Sequence, residues 1–237
     1  MRERPILFSG PMVRAILSDD KTQTRRVLKP RHLSGTGWTV PALAHAPTVT
    51  NCIRHLCPYG DVGDRLWVRE TWRTATSLDN DSPKRIEERC LDAGYLQPWA
   101  PVQYEADGQR VNWLADFALP GQWSIEPGKT RVSIHMPRWA SRLTLEVTSV
   151  RVERLQDISE ADAQAEGMTH ELAFTAGFVT RADGRPAAVR WFNALWERIN
   201  GPDSWDANPW VWVVTFRESS LNRSPGRVVH MERSSAL

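Results

Sequence analysis

Between Ser18 and Pro30 the chain reads Ser-Asp-Asp-Lys-Thr-Gln-Thr-Arg-Arg-Val-Leu-Lys-Pro, and the nine residues from Lys21 to Lys29 carry two threonine hydroxyls and four cations. These are the parts of a nucleophilic site. Thr24 supplies an attacking hydroxyl, Lys21 a base, and Arg25 or Arg26 a cation for charge that develops during reaction. A lysine, with an ordinary pKa of about 10.4, serves as a base only if burial or neighbouring cations lower that value. An ideal strand sends positions 21 and 24 to opposite faces, so the two converge only if Lys21 lies in a turn before the strand begins. Asp19 and Asp20 favour such a turn. Without convergence, the run is an exposed edge strand whose charges guard against aggregation.

Other segments must position this run. Pro5 to Phe8 reads as a short apolar strand. Pro11 to Leu17 reads as one or two turns of helix, with Pro11 at a first helical position and Ser9 or Gly10 before it. Met12, Val13, Ile16 and Leu17 give that helix a face to bury. After the turn Asp61-Val-Gly-Asp64, a strand over Arg65 to Trp72 places Leu66, Val68 and Glu70 on one face. An inward Glu70 needs a cationic partner, for which Lys21, Arg25 and Arg26 are candidates. Arg142 to Leu155 is the clearest strand. Its alternation through Leu143, Leu145 and Val147 shifts to Val150 and Val152, so a bulge is expected near Thr148-Ser149. Ser159 caps a short alanine-rich helix ending at Gly167. Pro186 opens an amphipathic helix carrying Val189, Phe192, Leu195, Trp196 and Ile199 on one side, with Gly201 at its end. Trp210 to Phe216 is the closing strand.

The chain has 237 residues, 41% of them hydrophobic, and a net charge of +2. That suffices for a substantial core but gives no global field to attract nucleic acid. Three cysteines, Cys52, Cys57 and Cys90, form no disulfide framework. His45, Cys52, His55 and Cys57 match no usual zinc spacing, so neither metal nor cofactor is expected. No apolar run reaches the roughly 18 residues of a membrane span, and Met1 to Pro5 is no signal peptide, so a soluble cytoplasmic protein is expected. Most of the twelve tryptophans are expected in cores rather than stacked on bases. Ser9 lacks a His/Asp pair for a serine triad.

Residues 73–135 and 170–185 read as insertions into one domain spanning 1–217, with 218–237 a polar, unpatterned tail. The first insertion holds a charged helical candidate from Lys84 to Ala93. It also holds a hairpin over Val102-Gln-Tyr-Glu105 and Ala-Asp-Gly108. If it forms a wall over the Lys21 run, Trp99, Trp113 or Trp123 should line the same cleft.

A helix, a turn and then Lys-Thr-x-Thr-x-Arg resembles the signature of the ASCH domain, Gly-x-Lys-x-x-x-x-Arg, within the PUA-like superfamily. Lys21 and Arg26 stand at its Lys and Arg, and Asp19 stands where the pattern has glycine. Gly63-Asp64 before an apolar strand also recurs in such proteins. The resemblance covers residues 5–29, 61–71, 142–169 and 209–217. It implies an α+β fold: a small β-barrel with flanking short helices and a long insertion. One branch of that family removes the acetyl group from N4-acetylcytidine. By resemblance its Lys and Thr fall on Lys21 and Thr24, and its Glu on Glu166, within the segment Leu155 to Met168. The resemblance thus implies an amidohydrolase acting on an N-acylated nucleoside or base, with Lys21, Thr24 and Glu166 catalytic. Arg25, Arg26, Glu70 and His135 would then contact substrate. Other relatives bind RNA without catalysis or cleave it, so RNA is the alternative partner. On this reading Glu166→Gln keeps the shape and drops the charge, with little expected loss of stability.

Overall fold

The computed structural model describes residues 1–37, 39, 53–113, 126–168 and 184–219. In chain order the elements are β1 (Glu3–Leu7), α1 (Gly10–Leu17), β2 (Gln23–Val27), β3 (Arg65–Arg69), β4 (Trp72–Arg73) and α2 (Pro83–Asp92). They continue with β5 (Val102–Tyr104), β6 (Arg110–Val111), β7 (Thr144–Arg154), α3 (Glu160–Ala165), α4 (Ala187–Asn200) and β8 (Trp210–Glu218). The fold is α+β. Among the described residues no helix is long and apolar enough to cross a membrane.

A five-stranded sheet runs in the order β1-β3-β7-β8-β2, with β1 and β3 parallel and the other neighbours antiparallel. The central pair β7–β8 shifts register between Val147 and Ser149, leaving Thr148 exposed as the extra residue. This is the expected bulge, and it bends the sheet. Leu145, Val147, Trp212 and Val214 lie in one core with Ile6, Leu66 and Val68, and α1 adds Val13 and Ile16. Alternate residues Val211 and Val213 serve a second core, shared with Val189, Phe192 and Trp196 of α4. With apolar groups against both faces, β8 reads as a nearly continuous hydrophobic run.

The sheet ends at β1 and β2. The Arg26 guanidinium spans these two edges, donating from Nη2 to the Leu7 carbonyl at 2.7 Å. Thr24 pairs with Val214 and Arg26 with Trp212, whereas Arg25 pairs with Val213, so the register sends Arg25 to the α4 side.

The first insertion has its own three-stranded sheet, β4-β5-β6, with the expected hairpin as two of its strands. Trp72, Tyr104 and Met136 form one of its cores; Leu78, Ile86, Cys90 and Ala100 form another around α2. Trp72, Trp196, Trp205 and Trp212 are buried, as core packing requires. The expectations for residues 40–51, for most of 170–185 and for the tail beyond 219 lie outside the described residues.

Helix α3 is short and depends on its cap. The Ser159 hydroxyl accepts from the Asp162 amide at 3.1 Å. Ser159→Ala is expected to cost about 1 kcal/mol, read as a shift of the urea midpoint at unchanged slope. An unaltered midpoint would mean that α3 is held by its packing alone.

Candidate functional site

Helix α1 ends in a turn where Asp19 adopts φ 61°, the left-handed conformation that favours glycine. Asp19 therefore meets the backbone requirement of the position where the resembling signature has Gly. The Lys21 amide then donates to the Ala15 carbonyl at 2.9 Å. Lys21 forms a β-bridge with Glu166 two residues before β2 begins. It thus lies in the turn, as convergence with Thr24 demands.

Glu166 caps the C-terminus of α3. Gly167 follows at φ 103°, packed so closely that an added Cβ would lie 3.2 Å from Cβ of Ala15 and 3.3 Å from Cβ of Lys21. Any side chain there would push apart α1 and the lysine segment. The Lys21 ammonium donates to the Gln23 carbonyl at 2.8 Å, the Glu166 carbonyl at 2.9 Å and Glu166 Oε2 at 2.8 Å. An ammonium has three donors and a neutral amine only two, so in this arrangement Lys21 is charged. Its contact with the Glu166 carbonyl also offsets the negative end of α3.

The other Glu166 oxygen accepts from Arg25 Nη1 at 3.2 Å. Arg25 is buried among acceptors: Gln23 Oε1 at 2.6 Å, Glu153 Oε1 at 2.6 Å and Asp162 Oδ2 at 3.2 Å. Arg151 closes the network on Glu153 at 2.9 Å and Asp162 at 2.8 Å. Lys21, Arg25 and Arg151 face Glu153, Asp162 and Glu166, so the cluster is neutral. Burial costs the Asp162 carboxylate, yet Arg151 and Gln23 together hold its pKa below the usual value. Arg25 thus orients Glu166.

Two cavities meet at Glu166. The larger, about 270 Å³, lies between α1 and α4 and is lined by Met12, Arg14, Asp20, Glu166, Trp191 and Arg198, among others. The smaller, about 60 Å³, runs along the open edge of β2 and is lined by Met12, Thr24, Arg25, Arg26, Glu166 and residues of α4, among others. Lys21 lines neither; it lies behind Glu166. The Thr24 hydroxyl has no hydrogen-bond partner among the described residues. Arg26 and Lys21 both lie over the Phe8 ring, at 5.5 and 5.7 Å.

Two expected members lie elsewhere. Glu70 is buried as its strand face predicts, but its partner is Arg142, in a bidentate pair at 2.9 Å for each contact. Arg142 also pairs with Asp107 at 2.7 Å and lies 4.0 Å from the Tyr104 ring centroid. Lys21 and Arg25 are already committed to Glu166, and Arg26 to the Leu7 carbonyl, so none turns toward Glu70. His135 is exposed in a 3-10 turn, Ser133–His135, and lines neither cavity.

The tryptophans expected over the site are also placed apart. Trp99 stacks with Tyr95 and Trp113 lies against Arg110, so neither lines the cleft; Trp123 lies outside the described residues. The ring that does line it, Trp191, sits on α4 and was missed by sequence reasoning. Its position outside the apolar stripe of that helix was the available signal. Of the improbable zinc set, His45 and Cys52 lie outside the described residues. Cys57 is buried, and that burial pushes its thiol up to about 11. No protein-family model, curated protein or solved structure matches this chain.

Proposed function

We propose that this chain is a PUA-like amidohydrolase that removes the acyl group from an N-acylated nucleoside such as N4-acetylcytidine, in the cleft between α1 and α4. The observation that carries this reading is Glu166. It is a buried carboxylate gripped by Lys21 and Arg25, and it faces the cavities beside the unpartnered Thr24 hydroxyl. The left-handed Asp19 supports the ASCH-type turn, and the Arg26 bridge between β1 and β2 supports a barrel-like closure. The charge balance of the cluster favours a neutral reacting group over a phosphodiester.

In the proposed reaction, Thr24 Oγ attacks the acyl carbonyl and its proton passes to Glu166. Arg26, on the same cavity wall, stabilises the oxyanion. Collapse breaks the C–N bond, and the proton returns from Glu166 to the departing exocyclic amine. Water then attacks the Thr24 ester and gives its proton to Glu166; collapse breaks the bond between the acyl carbon and Thr24 Oγ, Glu166 returns the proton to Oγ, and the carboxylic acid leaves. Lys21 is a positioning residue: as an ammonium it keeps the Glu166 carboxylate aimed. The test is release of cytidine and acetate from N4-acetylcytidine by the purified chain. Absence of turnover, together with binding of RNA lost in Lys21 and Arg26 variants, would replace this reading with an RNA-binding module.

The pH dependence has a particular sign. Burial, reinforced by Arg26 and Arg25 and opposed by Glu166, holds the Lys21 pKa below its ordinary 10.5. Between the folded and ordinary values, the unfolded chain binds more protons than the folded one. Stability contributed by this group therefore rises with pH across that window. Turnover is expected to fall across the same window, because neutral Lys21 releases Glu166. Parallel pH profiles of rate and melting temperature measure both. A rate that holds constant up to pH 10.5 would remove Lys21 from this role.

A further inference from the structure

Two cations on the larger cavity stand outside the neutral cluster. Arg14 projects from α1 and Arg198 from α4, so one guanidinium lies on each wall. The Arg198 side chain makes no ion pair or hydrogen bond among the described residues. Among the described residues Arg14 has no carboxylate partner; its Nη1 donates to the Ala106 carbonyl at 2.7 Å. That carbonyl belongs to the β5–β6 turn of the insertion, which packs against Gly10, where an added Cβ would lie 3.7 Å from both Ala106 Cα and Arg14 Nη1. The turn is itself tied to the segment leading into β7 through the Asp107–Arg142 pair. An exposed arginine ordinarily samples many rotamers, and this one is tethered across a sequence separation of 92 residues. The carboxylates on the same cavity are Asp20, hydrogen-bonded by Ser18 Oγ at 2.6 Å, and Glu166, already matched by Lys21 and Arg25. The outer part of the cleft thus carries two guanidiniums against one carboxylate. Trp191 adds an aromatic ring to the lining of the same cavity, which Glu166 joins to the one that Thr24 lines.

We propose that the cleft takes a nucleoside monophosphate, with its phosphate held by Arg14 and Arg198 and its base directed along Trp191 toward Glu166. Guanidinium groups suit phosphate because their N–H donors form parallel, charge-assisted bonds to its oxygens. The volume of about 270 Å³ holds one small ligand and not a strand. The insertion acquires a function here: its turn fixes Arg14, so it shapes specificity without touching the reacting group. This inference rests on the cleft being the nucleoside site.

The test is equilibrium binding of the unreactive ligands cytidine 5′-monophosphate, cytidine and inorganic phosphate to the full chain. The monophosphate is expected to bind about tenfold more tightly than cytidine, which corresponds to about 1.4 kcal/mol, and more tightly than inorganic phosphate. Arg14→Gln and Arg198→Gln should each bring the monophosphate-to-cytidine ratio toward parity. Both side chains are exposed, so the variants should melt with wild type. Raising the ionic strength should shrink the same ratio. Parity in wild type, a ratio unmoved by both substitutions, phosphate binding as tightly as the nucleotide, or binding of neither nucleoside nor nucleotide would each overturn the proposal. A nucleotide preference without turnover of the acylated nucleoside sustains the anion site and removes the hydrolase. Turnover with parity does the reverse.

Discussion

Glu166→Gln is expected to lower the stability of the folded chain by roughly 3–5 kcal/mol, because it removes the one negative partner of a buried pair and leaves the cation behind. The Lys21 side chain is 0% exposed and that of Arg25 is 0% exposed, so water cannot replace the lost carboxylate. An amide at this position offers one acceptor where the carboxylate offers two, and its NH2 would face a donor. Arg25 keeps Glu153 and Asp162, whereas Lys21 keeps only two carbonyls. The lysine therefore accounts for most of the loss. Sequence alone makes this substitution shape-preserving and mild; the two cations that converge on the side chain reverse that expectation. Urea unfolding measures it, and a change below about 1 kcal/mol, the level of an exposed pair, would mean that the site admits water. Lys21→Met is the informative companion. It removes the buried cation rather than its partner, leaves Glu166 on Arg25, and is expected to cost less.

Thr24→Ala is expected to reduce turnover of N4-acetylcytidine by roughly 10³-fold or more, since loss of a nucleophile disables the groups that act with it as a unit. The backbone of Thr24 stays in the β2–β8 ladder opposite Val214, so the fold should persist and the loss should fall on rate. Thr24→Ser retains a hydroxyl at the same position and should recover part of the activity. An acetyl group trapped on the peptide containing Thr24, by rapid acid quench of wild type, would identify the ester. Normal turnover in Thr24→Ala would exclude that ester and make Glu166 the base for direct attack by water.

What local sequence determines here is the face and type of each element. Alternation along Arg142 to Leu155 carries the bulge at Thr148, because a strand's period of two exposes any extra residue as a change of face. The 3.6-residue period after Pro186 likewise identifies Val189, Phe192 and Trp196 as the buried side of α4. The turn at Asp19 places Lys21 ahead of β2, and the resemblance of the Leu155–Met168 segment singles out Glu166. In the fold the two side chains form an ion pair across 145 residues of sequence separation.

Tertiary structure alone decides which charge meets which. Glu70 has an inward face in the sequence, but any of four arginines and lysines would satisfy it electrostatically. The choice of Arg142 follows from the packing of β3 beside β7. Arg25 and Arg26 are neighbours of identical chemistry, yet the register against Val213 and Trp212 sends one into a carboxylate network and the other to the Leu7 carbonyl across the sheet edges. The cleft itself arises where α1 and α4, 170 or more residues apart in the chain, approach the open edge of β2. Periodicity states which way a side chain faces within its own element. Which partner waits there depends on how distant elements dock, and Coulomb attraction without direction does not distinguish one cation from another.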